Sequence, residues 1–416
     1  MGVLVIEGGK RLEGAVKVQG AKNAVLPILA ATILNHGESV IHNCPKLRDV
    51  EKTIDVLEHL GCKVTRDNHT LTVNAKDITQ NTIPDELMHQ MRSSIIFMGA
   101  IISRAGDARV SMPGGCEIGN RPIGLHLKGL EQLGVKIEEE HGYINCTSEK
   151  LVGNNIHLEF PSVGATENIM LAACSAEGVT TISNAAREPE IVDLQNFLNE
   201  MGAKISGAGS SDIVIEGVNE FNDVEYSVMS DRIVGATYLI CAAATNGRII
   251  LENAQGSAME AVISSLKSMG CIIDEKEDKI VFRGRTHLDA VPMIRTMPYP
   301  GFPTDIQSPF MTLTAIANGT SVIVETIFEN RFKHIEELKR MGADIQVDGR
   351  VAIVRGVKQL SGAKVTAREL RGGAALVAAG LCADGITRIS DAEYIDRGYE
   401  EIEKHITALG GKIKRI

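Results

Sequence analysis

Two kinds of apolar pattern alternate along the chain. In the first, apolar residues recur every three or four positions and leave a polar face, as in Ile54, Leu57 and Leu60. This spacing predicts an amphipathic helix, and the glycine after each copy predicts a left-handed stop. In the second, a run of about ten residues is apolar on every side, which predicts a buried helix. The buried runs are AVLPILAATIL, SIIFMGAIIS, ENIMLAACSA, IVGATYLICAAA, SPFMTLTAIA and GGAALVAAGLCA.

Both patterns recur six times, with a period of about 70 residues. A short β-branched run follows each buried run, and a strand pair follows each amphipathic stripe, as in GADIQVDGRVAIV. Each unit is therefore predicted to contain a buried helix, a strand, an amphipathic helix and further strands, which is an α/β repeat. The glycines after the amphipathic stripes are Gly61, Gly134, Gly202, Gly270, Gly342 and Gly410, and those after the buried runs are Gly37, Gly106, Gly178, Gly247, Gly319 and Gly385.

The first residues of the chain match segments that occur late in other units. IEGGKRLEGAVKV near the N-terminus resembles IEGVNEFNDVEYSV and VRGVKQLSGAKVT, whereas the sixth unit ends at GGKIKRI without such a segment. We expect residues 1 to about 20 to complete the sixth unit. Six units exceed one ordinary core, so two domains of three units each are predicted. The first spans residues 22–229, and the second is discontinuous, with residues 1–21 plus 230–416.

Composition and charge exclude several classes of function. The 416 residues carry a net charge of −10, and no basic run suggests nucleic acid. The apolar runs are about half the length of a membrane span, so no membrane segment is predicted. The eight cysteines form no CxxC pair and no cluster with histidine, which argues against a metal site. Dispersed cysteines such as Cys174, Cys241 and Cys382 suggest free thiols in a reducing, cytoplasmic compartment.

Aligning the six units with one another places basic residues at matching positions. The predicted start of each buried helix, where unpaired N–H groups favour anions, falls at Lys22, Arg92, Gly164, Arg232, Asp305 and Arg371. Five loops before amphipathic helices also carry an arginine, namely Arg48, Arg121, Arg187, Arg331 and Arg397. Each arginine could pair with a neighbouring carboxylate such as Asp49, Glu188 or Asp396. Their shared position instead favours a cationic cleft between the two domains, which would bind a small, highly anionic ligand.

One loop and one helix start differ chemically from their equivalents. The segment SMPGGCEIGNRPIGLH places Cys116 among glycines, in the loop that carries Arg121. Glycines permit mobility and nearby cations lower the pKa of a thiol, so Cys116 is predicted to be functional rather than an inert core cysteine. Asp305 in GFPTDIQ is the acidic residue among the cationic helix starts. Its position suits either a helix N-cap or a general base.

These motifs resemble those of the UDP-N-acetylglucosamine 1-carboxyvinyltransferase family, enolpyruvyl transferases that begin peptidoglycan precursor synthesis. The resemblance runs through GAKNAVLPILAA, PGGCEIGNRPIGLH, SVGATENIM, NAAREPEIVDL, FPTDIQ, ENRF and IDRGYEEIE. It implies a two-domain inside-out α/β barrel of the EPSP synthase type, with six βαβαββ-type repeats, helices inside and sheets outside. It also implies transfer of the enolpyruvyl group of phosphoenolpyruvate to the 3′-hydroxyl of UDP-N-acetylglucosamine, through a tetrahedral intermediate that loses phosphate. No metal or organic cofactor is implied.

The resemblance further implies roles for individual residues. Cys116 is expected to assist proton delivery and product release and to be alkylated by fosfomycin, and Asp305 is expected to take the hydroxyl proton. The residues expected to bind phosphoenolpyruvate are Lys22, Asn23, Arg121, Arg371 and Arg397, of which Lys22 and Arg397 are also expected to be catalytic. Those expected to bind UDP-N-acetylglucosamine are Arg92, Arg121, Pro122, Ile123, Gly124, Leu125, Ser162, Val163, Gly164, Asp305 and Ile327. Those expected to support the cleft are Arg48, Glu188, Arg232 and Arg331.

Three positions depart from the pattern of that family. Phe160 stands where lysine is frequent and affects one expected contact to the diphosphate. Glu369 takes the place of a frequent aspartate, and Tyr394 the place of a frequent histidine. Two other functions stay open at this point: an enolpyruvyl transferase with another acceptor, and a non-catalytic paralogue that binds a sugar nucleotide.

Overall fold

The structure, a computed structural model, describes residues 2–90, 92–112 and 123–416, without the side chains of residues 89, 90, 92 and 93. These residues divide into two compact units. The N-terminal unit contains the described residues from Gly20 to Met229. The C-terminal unit contains those up to Gln19 together with Ser230–Ile416. Each unit has a hydrophobic core of its own, with Phe97 and Phe197 in the first and Tyr238 in the second.

Two sets of helices alternate along the described chain, as the apolar patterns predicted. The fully apolar runs form helices that are buried on nearly every side, and the amphipathic stripes form helices with one exposed face. The α-helices are α1 (Lys22–Ala31), α2 (Arg48–Leu60), α3 (Asp85–Gln90), α4 (Phe97–Ala105), α5 (Gly124–Gln132), α6 (Val163–Ala173), α7 (Pro189–Glu200), α8 (Arg232–Ala244), α9 (Glu260–Ser268), α10 (Thr304–Ile316), α11 (Ile335–Arg340), α12 (Leu370–Cys382) and α13 (Ile402–Ala408).

The buried helices pack on one another inside each unit. In the N-terminal unit α4 contacts α1 and α6, and in the C-terminal unit α8, α10 and α12 contact one another. A helix without a polar face must be covered in this way. Short 3-10 helices adjoin several of them, at Thr32–Leu34, Arg92–Ile96, Gly256–Met259 and Ala392–Arg397.

The described strands form six sheets of four strands each. The strands are β1 (Leu4–Glu7), β2 (Glu13–Lys17), β3 (Glu38–His42), β4 (Lys63–Asp67), β5 (Thr70–Asn74), β6 (Thr82–Ile83), β7 (Asp107–Ser111), β8 (Lys136–Glu140), β9 (Tyr143–Thr147), β10 (Asn155–His157), β11 (Val179–Ser183), β12 (Lys204–Ser206), β13 (Asp212–Glu216), β14 (Val224–Ser227), β15 (Arg248–Glu252), β16 (Ile272–Lys276), β17 (Lys279–Arg283), β18 (Met293–Arg295), β19 (Thr320–Val324), β20 (Asp344–Asp348), β21 (Val351–Arg355), β22 (Lys364–Thr366), β23 (Ile386–Ser390) and β24 (Lys412–Arg415).

All six sheets share one plan. A leading strand runs parallel to the strand that follows a buried helix, and two antiparallel strands complete the sheet. The orders are β14-β3-β5-β4, β6-β7-β9-β8 and β10-β11-β13-β12 in the N-terminal unit, and β2-β15-β17-β16, β18-β19-β21-β20 and β22-β23-β1-β24 in the C-terminal unit. The repeated α/β fold predicted from the sequence is therefore confirmed.

The N-terminal segment differs from its prediction in one respect. Strand β1 completes the sixth sheet between β23 and β24, as predicted. Strand β2 does not belong to that sheet, because it pairs in parallel with β15 of the fourth, where Val16 lies opposite Leu251. Conversely, β14 precedes α8 in the chain but leads the first sheet, with Tyr226 opposite Ile41. Each of these two leading strands is followed in the chain by the first helix of the other unit.

Glycines determine two features of the repeats. Those after the amphipathic helices have positive φ angles, from 84° at Gly410 to 110° at Gly61, which confirms the predicted left-handed stops. A second group lies where the chain leaves a sheet and crosses the end of a buried helix. A Cβ atom on Gly356 would lie 1.6 Å from the Ala317 carbonyl oxygen, and one on Gly217 only 1.7 Å from that of Ala176. These crossings leave no space for a side chain.

We expect Gly356→Ala to destabilise the C-terminal unit by about 1–3 kcal/mol or more, because the added methyl group must displace backbone. Urea unfolding would measure the loss. The control is Gly349→Asn, in a turn where φ is 55° and a Cβ atom would meet nothing within 4 Å. Asparagine tolerates that conformation, so the control should unfold near the wild type. An unchanged midpoint for Gly356→Ala would contradict the assignment.

Candidate active site

Lys22 begins α1 in the N-terminal unit, at a helix start without a side-chain cap. Its ammonium lies 2.6 Å from an oxygen of Asp49, and the two side chains are only 10% and 3% exposed. The sequence suggested Asp49 as a partner for its neighbour Arg48. In the structure Arg48 is exposed at the first position of α2, whereas Asp49 is buried and binds Lys22. A buried carboxylate therefore fixes the cation beside the first-turn amides of α1, an arrangement suited to binding an anion.

The start of α6 brings together a polar network that sequence reasoning missed. Ser162 caps the helix by accepting from the Ala165 amide, at 3.4 Å. A Cβ atom on Gly164 would lie 3.0 Å from the His126 ring, so this glycine admits the imidazole to the helix start. Asn168 donates to His126 Nδ1 at 2.8 Å and to a backbone carbonyl, so the neutral ring carries its proton on Nε2. The signal for this network was an asparagine in the polar stretch Thr166–Asn168 of a mostly apolar helix.

Asp305 lies at the centre of a charge cluster in the C-terminal unit. One carboxylate oxygen is 2.9 Å from Arg331 Nη2, and the other accepts from Arg371 Nε at 3.2 Å and Nη2 at 3.0 Å. Both arginine side chains are 2% exposed, whereas that of Asp305 is 27% exposed. The N-cap of α10 is Pro303, so the N-cap alternative for Asp305 is wrong. Two buried cations therefore hold a carboxylate that keeps an accessible edge.

Neighbouring groups fix the two arginines. Glu369, one of the three residues that depart from the family pattern, caps α12 by accepting from the Arg371 amide at 2.7 Å and from the Gly372 amide. The longer carboxylate thus retains a capping role. The Arg371 guanidinium also lies 5.4 Å from the centre of the Tyr399 ring. Behind Arg331, burial and the arginine charge lower the pKa of His334 to about 3, so this imidazole is neutral at physiological pH.

The remaining described candidates occupy helix starts and loops. Arg397 ends the 3-10 helix that also contains Tyr394, and its neighbour Asp396 is bound by Arg415 at 2.6 Å. Arg232 begins α8, with its guanidinium 5.5 Å from the Tyr299 ring. The others are Asn23 in α1, Ile123 before α5 and Gly124 and Leu125 within it, Val163 at the start of α6, exposed Phe160 before it, Arg187 and Glu188 before α7, and Ile327 after β19.

Three predicted residues lie outside the described part of the chain, namely Cys116, Arg121 and Pro122, and nothing is described of the Arg92 side chain at the start of its 3-10 helix. The seven other cysteines are free, and all except half-buried Cys382 are buried. Burial raises the thiol pKa to about 12 for Cys62, Cys146, Cys174, Cys241 and Cys382, and to about 11 for Cys271. These thiols are therefore poor nucleophiles.

The described residues contain neither a metal-ligand cluster nor a membrane-spanning helix. No group of three or more histidine, cysteine, aspartate or glutamate side chains there is arranged to hold a metal ion. Among the helices in the described ranges, none has the length and apolar character needed to span a bilayer.

Comparison with known proteins identifies the family. Residues 6–406 match the family model of EPSP synthase (3-phosphoshikimate 1-carboxyvinyltransferase). A protein of Caldanaerobacter subterraneus subsp. tengcongensis named UDP-N-acetylglucosamine 1-carboxyvinyltransferase 2 is 57% identical over 416 residues, with both chains fully covered. The UDP-N-acetylglucosamine 1-carboxyvinyltransferase of Desulfatibacillum aliphaticivorans is 47% identical over 416 residues, again with both chains fully covered.

Solved structures agree with this relationship. The enolpyruvyl transferase NikO from Streptomyces tendae is 25% identical, with a TM-score of 0.88 over 100% of this chain and 98% of its own. The EPSP synthase of Acinetobacter baumannii, at 19% identity, shares the fold with a TM-score of 0.77 over 100% of this chain and 99% of its own. The two units, six sheets and charged helix starts described above are thus those of a member of the EPSP synthase family of carboxyvinyltransferases, to which this chain belongs.

Proposed function

We propose that the protein transfers the enolpyruvyl group of phosphoenolpyruvate to the 3′-hydroxyl of UDP-N-acetylglucosamine and releases phosphate, the first committed step of peptidoglycan synthesis. The observation that carries this proposal is the 57% identity, over the whole of both chains, to a relative named for this activity. The free thiols of the seven described cysteines suit a reducing compartment, so we propose that it acts in the cytoplasm.

The chemistry needs a base, an acid and a set of cations. In the addition, the acceptor oxygen bonds to C2 of phosphoenolpyruvate and loses its proton, while C3 gains one. In the elimination, C3 loses a proton and the bond between C2 and the phosphate oxygen breaks. Asp305 is proposed as the base that takes the hydroxyl proton, because the two arginines fix its carboxylate while part of it stays exposed. Cys116 and its loop are proposed to deliver the proton to C3.

The anionic groups of phosphoenolpyruvate are proposed to be bound by Lys22, Asn23, Arg121, Arg371 and Arg397. The burial of Lys22 and its fixed ammonium support this role, since a cation held in place stabilises developing charge better than a mobile one. Arg371 uses Nε and Nη2 on Asp305, so it is proposed to act mainly by holding the base beside the substrate.

The nucleotide sugar is proposed to bind at residues that adjoin the start of α6. Ser162, Val163 and Gly164 form that helix start, where backbone amides suit a diphosphate. The further proposed contacts are Arg92, the stretch from Arg121 to Leu125, Asp305 and Ile327, with Arg48, Glu188, Arg232 and Arg331 in support.

The first test concerns the acceptor. Phosphate release from phosphoenolpyruvate should require UDP-N-acetylglucosamine, since the full-length relatives are named for that acceptor. Shikimate 3-phosphate, the acceptor named in the description of the matching family, serves as the alternative acceptor. Equal turnover with both acceptors would refute the proposed specificity, and binding of the nucleotide without phosphate release would favour a non-catalytic protein.

The second test concerns the thiol. Fosfomycin is expected to alkylate Cys116 alone among eight cysteines, because burial raises the thiol pKa of cysteines such as Cys62, Cys174 and Cys382 and so disfavours their thiolates. Peptide mapping by mass spectrometry would locate the label. Cys116→Asp should keep part of the activity, since a carboxylic acid can deliver a proton, and should resist alkylation. A label on Cys44 or Cys62 would refute the assignment.

The third test concerns charge compensation. Arg397→Ala should cost about 2–4 kcal/mol of transition-state stabilisation, by analogy with the removal of a preorganised donor, and so lower the rate of phosphate release by orders of magnitude. The control is Arg340→Ala, whose side chain is 60% exposed and 3.8 Å from Glu337. The melting temperature should stay near the wild-type value in both. If Arg397→Ala turns over normally, or unfolds instead, that arginine has only a structural role.

A further inference from the structure

Glu325 is a buried carboxylate at the end of β19, with 1% of its surface exposed. Its Oε1 accepts three hydrogen bonds, from the Thr296 hydroxyl at 2.9 Å, the Ile327 amide at 2.8 Å and the Phe328 amide at 3.1 Å. Its Oε2 accepts from the Thr304 hydroxyl at 2.9 Å. All four donors are neutral groups, and hydrogen bonds to an ionised acceptor are stronger than those between neutral groups. Glu325 therefore acts as a structural acceptor that joins three segments of chain.

Two of those segments adjoin residues of the proposed active site. Thr304 is the first residue of α10 and immediately precedes Asp305. The N-cap of this helix, Pro303, makes no side-chain capping bond, and the bond from Thr304 to Glu325 ties the first helical residue to the end of β19. Ile327 lies in the segment proposed to contact the sugar. Glu325 thus connects the segment of the proposed base to the segment proposed to hold the acceptor.

The contacts close into a ring within the C-terminal unit. The Phe328 amide donates to Glu325, and the Phe328 ring lies 5.6 Å from the guanidinium carbon of Arg331. Arg331 binds Asp305, Asp305 follows Thr304 in the chain, and the Thr304 hydroxyl returns to Glu325. A closed set of contacts restrains each member more than an open chain would, because displacement of one strains the rest. Within this ring the Asp305 side chain remains 27% exposed.

We propose that Glu325 is a positioning residue for the transfer reaction, which holds the Asp305 segment through the Thr304 hydroxyl and the 327–328 segment through its amides. This inference rests on the proposed function, because Asp305 acts as the base only there. Proton transfer depends steeply on geometry, and a displacement of about 1 Å can cost about 100-fold in rate.

The test removes the Thr304 hydroxyl alone. Thr304→Val should lower kcat for phosphate release by about 10- to 100-fold, with KM for UDP-N-acetylglucosamine changed less than about threefold, because the acceptor segment keeps its own bonds to Glu325. Thr304→Ser keeps the hydroxyl and should retain kcat. The matched control is Thr314→Val, which removes a buried hydroxyl that donates to the Met311 carbonyl at 2.9 Å in the same helix. It should lower the melting temperature comparably and leave kcat unchanged.

A second pair of variants applies if Thr304→Val fails to fold. In Glu325→Gln the amide oxygen can still accept from the Oε1 donors, and the amide nitrogen can donate to the Thr304 oxygen, so kcat should be largely kept. Glu325→Ala should both lower kcat and raise KM for the nucleotide sugar. Equal kcat values for Thr304→Val and Thr314→Val, or equal losses for Glu325→Gln and Glu325→Ala, would overturn the proposal. A wild-type protein that releases no phosphate would instead contradict the proposed function.

Discussion

Six helices that are buried on nearly every side decide where polar chemistry can lie in this protein. The interior of such a helix cannot accept an unpaired charge, because burial of an ion without a partner is costly. Four of the six charged side chains in these helices lie in the first turns, where backbone amides are open and neighbouring loops approach. The other two are Arg104 at the end of α4 and Glu167 in α6, and burial raises the pKa of that glutamate. Lys22, Arg232, Asp305 and Arg371 all occupy such positions. Repetition of one unit therefore provides several equivalent polar positions. A different residue at each position can give that position a separate role.

The cluster around Asp305 shows how these positions cooperate within one unit. Two arginines with almost no exposed surface bind a carboxylate that is partly exposed. Arg371 lies at the start of a capped helix beside an aromatic ring, and the neutral His334 ring donates to the Arg331 backbone carbonyl. Such an arrangement orients the carboxylate through buried side chains and leaves part of it exposed. Glu325 extends the same principle to the neighbouring loop without contributing a charge to the surface.

The repeat and its helices could be predicted from the sequence because they rest on local patterns: apolar runs, amphipathic stripes and glycine stops such as Gly61. Pairings between segments far apart in the sequence could not be predicted in this way. The β2 segment looks like a partner for the sixth sheet, yet it pairs with β15, because a strand's own residues do not specify its neighbour. In the same way, Asp49 neighbours Arg48 in sequence but binds Lys22, since the helix start faces α1. Glu325 gave no sequence signal, as a single glutamate at a strand end is ordinarily exposed.

The placement of β1 and β2 has a consequence for how the chain is made. Strand β1 is synthesised well before its partner β24, because Lys412, which binds Glu7 across the sixth sheet, follows it by 405 positions. At translation rates of about 5–20 residues per second, β1 must wait about 20–80 s for β24. During that interval β1 lacks β24, and an unpaired strand edge invites association with other chains. Charged residues such as Glu7, Lys10, Arg11, Glu13 and Lys17 are spread through this segment, and charged side chains oppose such association.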